Sequence, residues 1–139
     1  MYNSGNYLDI NEIERLLPDS FLPLKKIDRK SVYKAGKDDL LAIVNSRIFS
    51  EPTGDYLWSG VFLDYLNSLK VNWVCHTVGK VGILLILSEV LIRYAEYANY
   101  RLNDGERRYF IRVRIENDKF YLYSKGYELD ISEYFIPSD

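Results

Sequence analysis

The only cysteine and the only histidine of the chain are neighbours, Cys75 and His76, within the stretch NWVCHTVGKVGILLIL at residues 72–87. A thiol nucleophile and its histidine base need side chains within hydrogen-bond reach of each other. In a β-strand, however, consecutive side chains point to opposite faces of the sheet. The apolar, β-branched residues around the pair favour a strand. We therefore predict that Cys75 and His76 are structural and not catalytic.

The sequence contains no other pattern that strongly indicates an enzyme. One cysteine and one histidine would need carboxylates from elsewhere to complete a metal site, and no ligand spacing supplies them. The patterns of P-loops, dinucleotide-binding turns, serine hydrolases and zinc proteases are all absent from the sequence. We predict no cofactor and no bound metal, and we favour a protein that is not an enzyme.

One weak nuclease-like pattern occurs near the N-terminus. Asp19, which follows a proline, and Asp28-Arg29-Lys30 formally match restriction-type nucleases, in which two acidic groups hold Mg²⁺ and a lysine polarises the phosphate. The two parts should lie on adjacent strands, but the first follows a predicted helix and Pro23 interrupts the segment. A Mg²⁺-dependent nuclease is therefore the third of three hypotheses.

The clearest pattern is a β-hairpin over residues 107–123, RRYFIRVRIENDKFYLY. A turn at Asn117-Asp118 pairs Glu116 with Lys119 across the strands. The same register opposes Arg114 to Tyr121 and places the apolar residues together on the other face. The predicted polar and aromatic face consists of Arg108, Phe110, Arg112, Arg114, Tyr121 and Tyr123, with Arg112 opposite Tyr123.

Arginine binds phosphate through its planar fork, and aromatic rings stack on bases. The hairpin face therefore predicts a non-catalytic nucleic-acid-binding module, with DNA and RNA both open. A second basic region would add positive charge, and it includes Lys25, Lys26, Arg29 and Lys30. A prokaryotic restriction or other defence system is the predicted setting.

Two alternatives use the same residues. Tyrosine and arginine dominate the hot spots of protein interfaces, so the chain could instead be an inhibitor or adaptor that binds a protein, of a phage or immunity type. The acidic residues Glu128, Asp130 and Glu133 could also serve such an interface. In the second of these alternatives, the arginines pack over tyrosines on an ordinary solvated surface that binds nothing.

Composition limits these hypotheses. The net charge is −2, so nucleic acid would have to bind a local patch. The length predicts one domain over residues 1–139. A lone cysteine favours a reducing compartment, hence the cytoplasm. We expect no signal peptide and no membrane partner, because the longest apolar run, residues 81–87, is too short to span a bilayer. A homodimer remains open.

The predicted elements indicate an α+β fold, with about three helices packed on an antiparallel or mixed sheet built from hairpins. A partly closed barrel is an open alternative. Helices are predicted over residues 9–17, with an Asp9–Glu12 capping box, and over 60–70, capped by Ser59. A third helix is predicted after Ser88, which would cap it. Strands are predicted over residues 39–49, 72–78, 83–87, 107–123 and 129–131, followed by an irregular tail.

Overall fold

A computed structural model of the protein describes residues 7–28 and 31–138. The α-helices are α1 (Ile10–Leu16), α2 (Leu63–Ser68) and α3 (Ser88–Tyr94). Short 3-10 helices lie at Asp19–Phe21 and Ser132–Tyr134. The strands are β1 (Leu24–Asp28), β2 (Val32–Ala35), β3 (Asp39–Asn45), β4 (Arg47–Glu51), β5 (Gly54–Val61), β6 (Trp73–Val78), β7 (Gly82–Leu87), β8 (Tyr100–Asn103), β9 (Glu106–Glu116), β10 (Lys119–Ser124), β11 (Tyr127–Asp130) and β12 (Phe135–Pro137).

The strands form two sheets. The central sheet has the order β1-β2-β3-β6-β7-β12, in which β3 and β6 are parallel and the other pairs antiparallel. The outer sheet has the order β11-β10-β9-β5-β4, and β8 also pairs with β9. Within the described residues the sheets do not close into a barrel. The predicted α+β class is confirmed, and the partly closed barrel is not observed.

The central sheet is covered on both faces, which explains its long apolar runs. Every residue of β6 except Trp73, and of β7 except Leu87, is buried. One face packs against α1 and the first 3-10 helix through Ile13 and Phe21. The other face packs against the inner side of the outer sheet, together with α2 and α3. The opposite side of the outer sheet, called the outer face below, is left to solvent.

The prediction of one strand over residues 39–49 is wrong. The segment forms two strands in different sheets, β3 in the central sheet and β4 in the outer sheet. The change occurs at Ser46, which is buried and whose N–H donates to Thr77 Oγ1 at 3.3 Å. The corner itself is polar, Asn45-Ser46-Arg47, with apolar residues on both sides. Such a short polar interruption does not by itself distinguish a change of sheet from one continuous strand.

The predicted helix over residues 60–70 is also wrong in its extent and its cap. β5 continues to Val61, and α2 occupies only Leu63–Ser68. Ser59 is a buried strand residue that faces the core. The alternation of buried Leu57, Ser59 and Val61 follows the two-residue period of a strand.

Other local predictions have mixed outcomes. The Asp9–Glu12 capping box is confirmed, with N–H···O distances of 2.9 and 3.0 Å. Ser88 is the first helical residue of α3 and not its cap, which is Leu87. The predicted irregular tail contains β12, which pairs with β7 at the edge of the central sheet.

A buried tyrosine stabilises the point where the strands of the outer sheet separate. β9 and β10 pair as predicted from Glu116–Lys119 to Val113–Leu122, and there the ladder stops. The predicted next pair, Arg112–Tyr123, is bridged instead by the hydroxyl of Tyr94 in α3. That hydroxyl donates to the Tyr123 carbonyl and accepts the Arg112 N–H at 3.3 Å. Tyr94 therefore satisfies two backbone groups that the ladder leaves without a strand partner.

Removing this hydroxyl should destabilise the protein. Tyr94→Phe keeps the buried ring but leaves the Tyr123 carbonyl and the Arg112 N–H without their partner, which costs about 1–3 kcal/mol of unfolding free energy. Urea unfolding measures the change. Tyr97→Phe is the matched control, because Tyr97 is 46% exposed, and it should stay within about 0.5 kcal/mol of wild type. Equal stability of Tyr94→Phe and wild type would contradict this role.

Candidate nucleic-acid interface

The hairpin residues predicted from sequence lie together on the outer face. Arg108, Phe110, Arg112 and Arg114 alternate along β9 with buried residues that face the core. Tyr121 is directly opposite Arg114, and Tyr123 lines a cavity with Arg112. All six predicted side chains are half-buried. The structure thus brings the predicted set together on one side of one sheet.

Strands β4 and β5 add three aromatic residues that the sequence analysis did not assign to the site. Phe49 and Tyr56 stack with ring centroids 5.6 Å apart, and Tyr56 lies 6.1 Å from Tyr123. Trp58 lies 5.4 Å from Phe110. Aromatic rings therefore cover much of the outer face.

Trp58 belongs to the outer face and not to the core. Trp58 is half-buried on the outer face of β5, opposite Arg112 of β9 and Arg47 of β4. The signal that could have found it is the two-residue alternation through Tyr56, Leu57 and Trp58, which begins directly after the turn at residues 52–53.

One arginine of the face is already neutralised. Arg114 contacts Glu128 through two N···O pairs, at 3.2 and 3.3 Å, and its Nε lies 3.3 Å from Glu116. Its guanidinium also lies over the Tyr121 ring, 4.8 Å from the centroid. At this position the contacts match the interpretation of an ordinary solvated surface. The guanidinium of Arg114 is already paired with two carboxylates, so it is less available to bind a phosphate than an arginine without such partners.

Two other arginines have no such partner. Over residues 7–28 and 31–138, neither Arg108 nor Arg112 forms a salt bridge. The Arg108 guanidinium lies 5.5 Å from the Trp58 ring centroid. The Arg108 side chain crosses β5 above Gly60, and a Cβ atom at position 60 would collide with the guanidinium. Gly60 thus makes room for a cation to lie flat against the aromatic surface.

A cavity of about 360 Å³ opens on this face. Its lining residues are Phe49, Glu51, Tyr56, Leu57, Trp58, Arg112 and Tyr123. Burial raises the pKa of the Tyr123 phenol; the positive charge of Arg112 opposes this, and the negative charge of Glu51 adds to it. The pKa of the Tyr123 phenol therefore depends on the charges of both Glu51 and Arg112, which line the same cavity.

The described part of the second predicted basic region does not join this face. Lys25 and Lys26 are exposed on β1, at the edge of the central sheet. Arg29 and Lys30 lie outside the described residues. The two basic regions belong to different segments, and no described strand of the first is part of the outer sheet.

The nuclease hypothesis receives no support from the geometry. Asp19 lies in a 3-10 helix and not on a strand. Asp28, at the end of β1, accepts a hydrogen bond from the Tyr65 hydroxyl at 2.6 Å. Among the described residues, no group of three or more histidine, cysteine or acidic side chains is close enough to hold a metal ion.

Cys75 and His76 occupy the predicted strand and point to opposite faces of the central sheet. Cys75 packs on the α1 side, where burial raises the pKa of its thiol to about 12. His76 is buried, with Nδ1 3.2 Å from Ser59 Oγ of β5 and, among the described residues, no partner for Nε2. Burial lowers the pKa of His76 to about 4. At neutral pH the thiol is protonated and the imidazole is uncharged.

Comparison with known proteins yields no family model, no curated protein and no solved structure that matches this chain. Among the helices that the structure describes, none is long and apolar enough to cross a membrane. The chemistry of the outer face is therefore the basis for assigning a function to this chain.

The buried histidine generates a pH-dependence of stability. His76 titrates near pH 6.5 when unfolded but near 4 when folded, so the unfolded chain binds more protons between these values. The stabilisation is complete above pH 6.5 and should be lost on acidification by about 1.4 kcal/mol per pH unit. Urea unfolding between pH 7 and 4.5 measures this slope.

The His76→Gln variant is the control for this slope. Asp130 also has a lowered pKa, but it titrates at 3.8 when unfolded, below the measured range. Glu12 has a lowered pKa and titrates at 4.5 when unfolded, at the lower limit of the range, and it contributes equally to wild type and variant. No other histidine exists in the chain. The variant should therefore lose the slope between about pH 6.5 and 5.5 and keep only the Glu12 contribution near pH 4.5. A wild-type stability that is constant from pH 6.5 to 4.5 would show that the imidazole is not kept neutral by burial.

Proposed function

We propose that this chain is a non-catalytic nucleic-acid-binding protein that binds single strands on the outer face of its outer sheet. The observation that carries the proposal is an open sheet surface on which aromatic rings surround two arginines without salt-bridge partners among the described residues, Arg108 and Arg112. Base stacking on aromatic rings contributes about 1–3 kcal/mol per base, and arginine contacts the phosphates.

The aromatic surface favours single strands over duplexes. A ring can stack only on a base whose face is accessible, as in single-stranded loops and ends. The faces of duplex bases are covered by their neighbours. Phe49 and Phe110 have no polar group for reading base edges in a groove, and Trp58 has only the single donor of its indole N–H, so the main contribution of these rings to binding is stacking.

The charges on the outer face suggest where the phosphates and the bases of a bound strand would lie. One end is basic and contains Arg47, Arg101, Arg108 and Arg112. The other end carries more acidic than basic side chains, with Glu51, Glu116, Glu128 and Asp130 beside Arg114 and Lys119. The phosphates would follow the basic end, and the bases would lie over Trp58 and Phe110.

A protein partner is the second candidate, and a specific observation favours it. The bidentate Arg114–Glu128 pair removes one cation from the face, and β11 adds exposed acidic residues at its edge. A surface rich in tyrosine, tryptophan and arginine with balanced charge fits the composition of protein hot spots. The defence setting, the cytoplasmic location and the oligomeric state stay predictions.

Fluorescence anisotropy with labelled single- and double-stranded DNA and RNA tests the proposed function. Arg108→Gln/Arg112→Gln should weaken single-strand binding about tenfold or more. It should also reduce the slope of log affinity against log salt by about 1.4, because two phosphate contacts are lost. The matched control is Arg15→Gln/Arg93→Gln, which makes the same charge change on α1 and α3.

The outcomes separate the two candidates. Failure of every nucleic acid to bind at low salt would overturn the proposal. Binding that is insensitive to both salt and the Arg108/Arg112 substitutions would also overturn it. Capture of a protein partner that the double variant no longer binds would then support the inhibitor or adaptor hypothesis.

A further inference from the structure

The geometry points to a base-specific pocket within this face: we infer that the Glu51–Arg112 cavity, lined also by Phe49, Tyr56, Trp58 and Tyr123, binds a single guanine. This inference rests on the proposed function and deepens it. It assigns sequence preference to a surface that otherwise binds by stacking and charge alone.

The walls of the cavity suit a planar ring. Phe49 and Tyr56 form a stacked pair on one side, and Tyr123 lies 6.1 Å from Tyr56. Trp58 and Arg112 occupy directly opposed positions of β5 and β9 and so project from the same face. The volume of about 360 Å³ is large enough to admit one base.

The charged groups that line the cavity are one carboxylate and one guanidinium, and they do not pair with each other. Glu51 and Arg112 both line the cavity, yet no salt bridge joins them, and neither side chain has a charged partner among the described residues. The nearby Arg114–Glu128 pair shows the contrast, because those two side chains close on each other. A ligand can therefore bind Glu51 and Arg112 at once.

Guanine has the edges that these two groups need. Its N7 and O6 atoms are adjacent acceptors, and arginine binds them through two hydrogen bonds. Its N1–H and N2–H groups are adjacent donors, which match the two oxygens of a carboxylate. Adenine and cytosine each carry one exocyclic amine beside ring acceptors, and thymine and uracil place one N–H between two carbonyls. Guanine alone satisfies Glu51 and Arg112 with two bonds each.

A cationic ligand is the other occupant that aromatic cages with a carboxylate favour, in particular a methylated ammonium group. Arg112 argues against it, because its guanidinium lines the same cavity and repels a second cation. A guanine is neutral and uses the arginine as a donor.

Oligonucleotide analogues that change one edge of the base test the inference. The probes are short labelled single strands of thymidine or uridine with one central guanine, hypoxanthine or 7-deazaguanine, beside the uninterrupted parent strand. Hypoxanthine lacks the N2 amine that Glu51 would bind, and 7-deazaguanine lacks the N7 acceptor for Arg112. The guanine strand should bind about tenfold more tightly than its parent, and each analogue should lose most of that gain.

Glu51→Gln is the variant that isolates the carboxylate. It should bind guanine and hypoxanthine strands equally. Loss of the negative charge should raise its affinity for every strand, the parent included, by a similar small factor, so the readout is the ratio of guanine to hypoxanthine affinity. The matched control is Glu116→Gln, an acid on the same face but outside the cavity, which should retain the guanine preference. Both positions are exposed, so thermal unfolding should confirm that each variant folds.

The results distinguish failure of the pocket from failure of the proposed function. Equal, salt-dependent binding of all strands by wild type would overturn the guanine pocket and leave single-strand binding intact. A guanine preference that survives Glu51→Gln would also overturn it. Failure of every strand to bind would overturn both.

Discussion

The antiparallel pairing of β5 with β9 is the constraint on which the outer face depends. The register runs from Asp55–Ile115 to Val61–Tyr109 and places Leu57 opposite Val113 in the core. Side chains alternate along a strand, so this burial obliges the intervening residues to project outwards together. A slip of one residue would bury Trp58 and Arg112 and expose the apolar set. Burial of the apolar residues of β5 and β9 in the core therefore determines which side chains form the outer face.

The same sheet contains a local weakness that α3 compensates. One edge of β9 is shared, since β8 pairs with its first half and β10 with its second. The two partners leave a gap at Arg112 and Tyr123, and the hydroxyl of Tyr94 fills it with two hydrogen bonds. Both flanking residues line the Glu51–Arg112 cavity. A core residue on a helix thus holds two walls of a surface cavity.

The charge distribution of the outer face is more informative than its arginine content. Four arginines project from β9 or its neighbour β8 on this side, but Arg114 is held by two carboxylates and supports the sheet itself. Arg108 lies over the Trp58 ring and Arg112 lines a cavity with four aromatic residues. Neither forms a salt bridge within the described residues, which leaves their donors available. On a chain with a net charge of −2, such local differences decide where a polyanion can bind.

Short-range patterns determined part of this protein without help from the fold. They include the register of the β9–β10 hairpin, the strands at residues 73–78 and 82–87, the α1 capping box and the divergence of Cys75 from His76. In each case the interacting residues are close in sequence, so charge pairs, turn residues and the two-residue period define the geometry. Half of the candidate site, the hairpin half, followed from the same reasoning.

Only the tertiary structure decided the rest. The switch of sheets at Ser46 depends on a contact with Thr77. The extension of β5 to Val61 depends on its pairing with β9, which joins segments some fifty residues apart. A run such as GDYLWSGVFLDYL contains both helical and strand periods, and the partner strand selects between them. The meeting of Glu51, Trp58 and Arg112 at one cavity follows from that pairing, because burial of distant apolar residues, and not any local preference, brings them together.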